Sequence, residues 1–155
     1  MATLAELLPP AAIRVGDHAA DWRQAVRAAG AVLADTGATD PAYTGEMLAV
    51  VEELGPYIVL APGIALGHAR PSPAVHRVGF SWVGLADPVS FGHPQNDPVS
   101  LVLGMAAPDD GAHTAALTTI ARLLGDGERR AALLAARTPA AVHAMVVAYE
   151  GESAT

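Results

Sequence analysis

Among six histidines, two stand where an imidazole can do chemistry. His68 closes the apolar run of GPYIVLAPGIALGHARPSP, residues 55–73, just ahead of Ala69, Arg70 and Pro71. His113 ends NDPVSLVLGMAAPDDGAH, where an apolar run gives way to a helical pattern. An imidazole at such places can be a nucleophile, a metal ligand or the base of a hydrolytic triad.

His68 has Gly67 before it, a residue that allows close approach of a partner backbone. Pro71 and Pro73 stiffen the exit from the loop. Loops held by a rigid scaffold are where chemistry is commonly placed. The plainer alternative is a turn histidine that only bonds a carbonyl. His113 falls in the first turn of a helix, whose free N–H groups and positive dipole end favour an anion. There it can donate to a phosphoryl oxygen. On spacing alone, an ordinary first-turn residue in water is the more economical reading of His113.

A metal-dependent enzyme would need a third ligand, with His76 or His93 joining His68 and His113. The usual signatures are missing: there is no HExxH, no tight His-x-His and no carboxylate beside His68. Ser72, Ser81, Ser90 and Ser100 lack the G-x-S-x-G elbow of a hydrolase. PGIALG is neither a Walker loop nor a dinucleotide loop. Neither a cofactor nor a metal is expected.

These histidines have to be positioned by well-punctuated elements. Asp21 and Gln24 read as a capping box for a helix carrying Trp22, Val26, Ala29 and Val32/Leu33 on one face, with Gly37 beyond its end. Asp40-Pro41 reads as a cap and first-turn proline for a helix with the stripe Tyr43, Met47, Val50/Val51 and Leu54, stopped by Gly55-Pro56. Residues 57–60 (YIVL) read as a short buried strand that turns at Pro62-Gly63. Residues 76–83 alternate as a half-buried strand, with Val78, Phe80 and Trp82 on one face and Arg77, Gly79 and Ser81 on the other. Asp87-Pro88 reads as a turn before a short return strand at 89–91. Residues 99–106 (VSLVLGMA) read as a further buried strand. Pro108-Asp109-Asp110-Gly111 then opens a helix bearing Ala116, Leu117, Ile120, Leu123 and Leu124. Gly125-Asp126 separates it from a helix ending near Ala136. Thr138-Pro139 starts a last helix with Val142, Met145, Val146 and Tyr149 inward, and the tail GESAT is expected to fray. Helices first, strands in the middle and helices last predict one α/β domain over residues 1–155, with a mixed central sheet flanked by helices. The strand order is not readable from this pattern.

The bulk composition narrows the classes. A chain of 155 residues, 52% hydrophobic and 16% charged, suffices for one folded domain. It has no cysteine, which removes thiol and Cys-based metal chemistry within the chain. All nine basic residues are arginine, so Schiff-base and P-loop lysine chemistry are excluded. A net charge of −7 argues against nucleic acid and suits a basic protein partner. The N-terminus lacks the basic region of a secretory signal, and no run approaches a membrane span of about 20 apolar residues. A cytoplasmic protein is expected.

GPYIVLAPGIALGHARP resembles the active-site segment of EIIA domains of the bacterial phosphotransferase system (PTS), of the mannitol/fructose class and more narrowly its ascorbate branch. DWRQAVRAAGAVLADTG, YTGEMLAVVEELGPYIVLAPG and NDPVSLVLGMAAPDDGAH extend the match in order over residues 15–150. The resemblance implies the mannitol/fructose-type EIIA fold. It makes His68 the phosphorylated residue and His113 the histidine that assists it, and it puts Arg70 beside the motif as a phosphoryl-stabilising candidate. It implies a phosphotransferase that takes a phosphoryl group from phospho-HPr and passes it to a cysteine of a cognate EIIB. The membrane EIIC is reached only indirectly, and ascorbate-type uptake is the branch expectation. A regulatory module phosphorylated on His68, controlling a transcription factor or enzyme, is the alternative. A homodimer is compatible with the pattern, because a helix face that packs a core and one that packs a second copy look alike. Two departures stand out. Gly67 takes a position where the family commonly has proline or another small residue, and would loosen the loop. The arginine of mannitol-type members on the preceding helix is absent, with Glu52 at about that position.

Overall fold

The computed structural model describes residues 2–153. A short helix, α1 (Leu4–Leu7), and a tight turn at Pro10–Ala12 lead into strand β1 (Ile13–Asp17). Two helices follow, α2 (Trp22–Asp35) and α3 (Ala42–Leu54). Then come strands β2 (Val59–Ala61), β3 (Ile64–Gly67), β4 (Gly79–Val89) and β5 (Val99–Ala106). The chain closes with α4 (Asp110–Leu124), α5 (Gly127–Ala135) and α6 (Pro139–Ser153).

The five strands form one mixed sheet in the order β1-β4-β5-β3-β2. β1 runs parallel to β4, and β3 parallel to β5; the β4–β5 and β2–β3 pairs are antiparallel. α2 lies across β3, β4 and β5, and α3 packs on α2. Most of β4 and nearly all of β5 are buried on both faces, the pattern of strands covered by helices on each side.

Local signals hold where they close within a few residues. β5 and α4 begin and end close to where the pattern places them, and Asp109 accepts from the Ala112 amide at 2.8 Å to cap α4. Asp21 caps α2 through the Gln24 amide at 2.9 Å. The expected capping box is modified: Gln24 Oε1 accepts from Ala20, not from Asp21, at 2.9 Å. Gly55, at φ +79°, stops α3 and donates to the Val51 carbonyl at 2.8 Å. Gly63, at φ +77°, supplies the left-handed residue of the β2–β3 hairpin turn.

Tertiary context overrides several other expectations. The opening helices are not continuous, because β1 stands between the short α1 and the pair α2 and α3. Only Ile13 of IRVGD is buried, so this strand has little local signature and depends on its distant partner β4. The strand expected over 57–60 is displaced to Val59–Ala61; Pro56–Ile58 is a helical turn and Tyr57 is 82% exposed. β4 starts at Gly79, not at residue 76, and is not half-buried. Ser81 lies fully inside and donates to the Ala29 carbonyl at 2.8 Å. Asp87-Pro88 is no turn, since β4 runs through it with a register shift against β5 between Gly84 and Val89. An irregularity of this kind is where a strand tolerates proline.

Asp40 does not cap α3 with its side chain; its carboxylate meets His76 Nε2 at 2.8 Å. Leu54 leaves the core stripe and is 59% exposed. Of the tail, residues 151–153 extend α6, and residues 154–155 lie outside the described residues.

Candidate active site

β3 and β5 are paired in parallel up to Gly67↔Gly104. Beyond that pair the two chains diverge, and both candidate histidines come from the divergence. His68 is the first residue after β3. His113 lies in the first turn of α4, just after β5, and its amide donates to the Asp109 carbonyl at 2.9 Å. The carboxyl ends of parallel strands are a recurrent place for a site in α/β proteins.

The two rings meet there, with centroids 5.6 Å apart and planes inclined by 53°. Both side chains are partly exposed. His68 Nδ1 sits 2.8 Å from the Leu66 carbonyl. A carbonyl only accepts, so Nδ1 carries the proton and Nε2 keeps its lone pair. The histidine does bond a carbonyl, as the plainer reading held, and that bond is what leaves the second nitrogen available for chemistry.

His113 Nδ1 is buried and has no hydrogen-bond partner among the described residues. A buried N–H without an acceptor costs more than an unused lone pair on a weak acceptor. The ring's proton therefore belongs on Nε2, which makes that atom a donor. Burial, and next the neighbouring His68, hold the His113 pKa below its usual value, against a weaker upward pull from Asp110.

Tyr43, a buried residue of the α3 core stripe, also joins the site. Its hydroxyl accepts from the Ala69 amide at 2.9 Å and lies 2.9 Å from the Met105 carbonyl and 3.2 Å from that of Ala69. Burial pushes its pKa up to about 12, so it stays a neutral donor. The available clue was chemical: a buried tyrosine hydroxyl has to find partners.

Gly67 serves the interior, not a docking partner. A Cβ there would lie 2.9 Å from the Met47 methyl and 3.5 Å from the Leu103 carbonyl. As a regular strand residue paired with Gly104, it does not loosen the loop. Arg70 is exposed and makes no hydrogen bond or ion pair among the described residues. It lines a shallow depression with Glu46, Val50, Glu53, Leu54 and Pro71. Leu54 also lines a second depression with Tyr57 and Pro94, so an apolar strip adjoins the segment after His68. Glu52 turns away to Arg23, at 3.3 Å.

The third histidine proposed for a metal is not spare, because His76 is bonded to Asp40. His93 Nδ1 accepts from the amides of Gln95 and Asn96. No group of three or more His, Cys, Asp or Glu side chains is placed to hold a metal among the described residues. No helix among them is long and apolar enough to cross a membrane.

Comparison with known proteins adds three kinds of likeness. The family model described as "Phosphoenolpyruvate-dependent sugar phosphotransferase system, EIIA 2" matches residues 6–148. The "Ascorbate-specific PTS system EIIA component" of Escherichia coli is 39% identical over 127 residues, covering 81% of this chain and 82% of that protein. The crystal structure of a putative PTS IIA domain from Streptococcus pyogenes superposes with a TM-score of 0.85 at 34% identity, covering 97% of each chain. The complex of enzyme IIAMTL and phosphorylated enzyme IIBMTL from Escherichia coli contains a chain that matches with a TM-score of 0.80 at 26% identity, covering 92% of this chain and 99% of that one.

Proposed function

We propose, from the premise that this chain belongs to the EIIA 2 family of the phosphoenolpyruvate-dependent sugar phosphotransferase system, that His68 is its phosphorylated residue. EIIA components of this system are phosphotransferases that act as phosphocarriers. The observation that carries the assignment is the Nδ1–Leu66 carbonyl bond, which leaves the lone pair on Nε2 of a partly exposed ring beside a second imidazole.

In this reading, Nε2 of His68 attacks the phosphorus of phospho-HPr. The new N–P bond forms as the donor's P–N bond breaks, and the donor histidine leaves with its electron pair. In the second half, a cysteine thiolate of a cognate EIIB attacks, the P–S bond forms and His68 recovers its lone pair. The transferring group is loose and metaphosphate-like, so the protein contributes mainly position and charge stabilisation. In this reading His113 Nε2–H is a donor to the phosphoryl oxygens, and Arg70, two residues after His68 and without a hydrogen bond or ion pair among the described residues, is the candidate cation. The apolar strip from Leu54 to Tyr57 offers the docking surface. The EIIA–EIIB assembly of the mannitol relative supports the acceptor. The ascorbate-specific relative supports ascorbate-type uptake as the transport served, with the chain acting in the cytoplasm and meeting the membrane EIIC only through EIIB.

Incubation with phosphoenolpyruvate, Enzyme I and HPr, followed by intact mass, tests the assignment. The wild type is expected to gain one phosphate and His68→Ala none. No gain in the wild type, or an equal gain in the variant, would refute it.

A further inference from the structure

The stretch between the two histidines holds a gap in the backbone ladder, and one side chain fills it. β3 and β5 exchange hydrogen bonds up to the Gly67↔Gly104 pair, and the ladder ends there. The next residues along are His68 and Met105, which are no longer paired with each other. The Tyr43 hydroxyl sits in this fork. It accepts from the Ala69 amide at 2.9 Å and donates to the Met105 carbonyl at 2.9 Å. The Ala69 carbonyl, at 3.2 Å, competes for the same proton. A phenol has one proton, and the shorter contact is the better acceptor.

We infer that Tyr43 is a positioning residue for phosphoryl transfer: its hydroxyl fixes the gap between the His68 loop and the β5 end that leads to His113. The inference rests on the phosphocarrier reading above. It concerns geometry and not chemistry, because the hydroxyl is fully buried and cannot touch the transferred group. Ala69 is held through its amide, one residue from the nucleophile. Met105 leads through Ala106 and Ala107 to the cap Asp109, which holds the His113 turn. Tyr43 itself stands in the first turn of α3, the helix whose Met47 also backs Gly67. One side chain therefore bridges all three segments that set the distance between the rings. With the bridge cut, His68 keeps its Leu66 bond and its nucleophilic nitrogen, but its place relative to His113 is no longer fixed. Misplacement of this kind lowers the rate of transfer and leaves docking intact.

The experiment is single-turnover phosphorylation by phospho-HPr for the wild type, Tyr43→Phe and Val51→Ala. Val51 is a core residue of the same helix and has no part in the bridge. Tyr43→Phe is expected to lower the limiting rate by about tenfold or more with the half-saturating concentration of phospho-HPr within about twofold. Val51→Ala is expected to lose thermal stability and keep the wild-type rate. A Tyr43→Phe rate within twofold of the wild type, or an equal fall in Val51→Ala, overturns the role of Tyr43 alone. A wild type that takes no phosphate overturns both readings. If Tyr43→Phe fails to fold, amide exchange in the wild type decides. Ala69 protected to the level of Leu66 supports the bridge, and Ala69 exchanging as an open loop overturns it.

Discussion

His68 and His113 face each other with ring centroids 5.6 Å apart, each brought there from the end of a parallel strand. In the proposed transfer, the asymmetry of their hydrogen bonds divides the work. His68 has its Nδ1 tied to the Leu66 carbonyl and offers a lone pair; His113 has an orphaned Nδ1 and offers a proton. Removing His113 therefore should not remove the nucleophile. We expect His113→Ala to accept phosphate from phospho-HPr and to pass it to EIIB about 10–100-fold more slowly, the range for losing one preorganised donor. Quench-flow transfer to a purified EIIB measures this, and wild-type transfer kinetics would exclude the assisting role.

The state of His113 should depend on what His68 carries. Burial, and then His68 itself, depress its pKa from the ordinary 6.5, so the resting ring is neutral at pH 7. Between its folded pKa and 6.5, the unfolded chain binds more protons at this residue than the folded one. The stabilisation is present above that window and is lost as pH falls through the folded pKa. An NMR titration should place the His113 midpoint below 6.5, and His113→Gln should flatten part of the loss of stability on acidification. If His68 carries the phosphoryl group as proposed, its negative charge beside the ring should move the midpoint upward. A midpoint at or above 6.5 in the unphosphorylated protein would refute the burial argument.

Helix spacing behind the site rests on one missing side chain. A Cβ on Gly30 of α2 would collide with the hydroxyl of Thr44 on α3 and lie 2.8 Å from its methyl. Gly45, one residue further along α3, has nothing within 4 Å of such an atom. In a free helix, either glycine replaced by alanine gains roughly 0.5–1 kcal/mol. Gly45→Ala should keep that gain. Gly30→Ala should instead lose about 1–3 kcal/mol, because two packed helices must move apart. Denaturant titration of both variants checks the ranking, and equal midpoints would contradict it.

Much of this arrangement is legible in the chain because its signals are local. The segment around His68, the β5 run and the capped start of α4 each announce themselves within a dozen residues or so, which is enough to nominate both histidines. Their meeting is not local, because it depends on β3 and β5 being neighbours in a sheet order that no pattern displays. Tyr43 shows the same limit from another side. At helical spacing it reads as one more core residue, and its hydroxyl matters only because two strand ends lie above it. Asp40 and Asp87 mislead for a related reason. An aspartate before a proline reads as a cap or a turn, yet the first is engaged by His76 and the second lies within β4. β1 carries almost no apolar pattern and exists through its pairing with Trp82, Val83 and Leu85.

The N-terminal segment is held by the other end of the chain, and that contact can be cut cleanly. Glu150 Oε2 accepts from the Leu4 amide at 2.7 Å, and Oε1 from the Ala5 amide at 2.8 Å. His143 Nε2 adds a contact of 3.1 Å to the Ala5 carbonyl. A helix as short as α1 has no stability of its own in water. It persists because the carboxylate of α6 takes up its free N–H groups at the positive end of its dipole, and because Leu4 and Leu8 are buried. Glu150→Ala removes both charge-assisted bonds and should cost about 1.5–3 kcal/mol. The loss should appear as faster amide exchange over residues 4–8, with β3 and β5 keeping their protection because their ladder does not involve this contact. Exchange that rises equally in the sheet would mean that the N-terminal helix unfolds only with the whole domain, and the separable-latch account would fail.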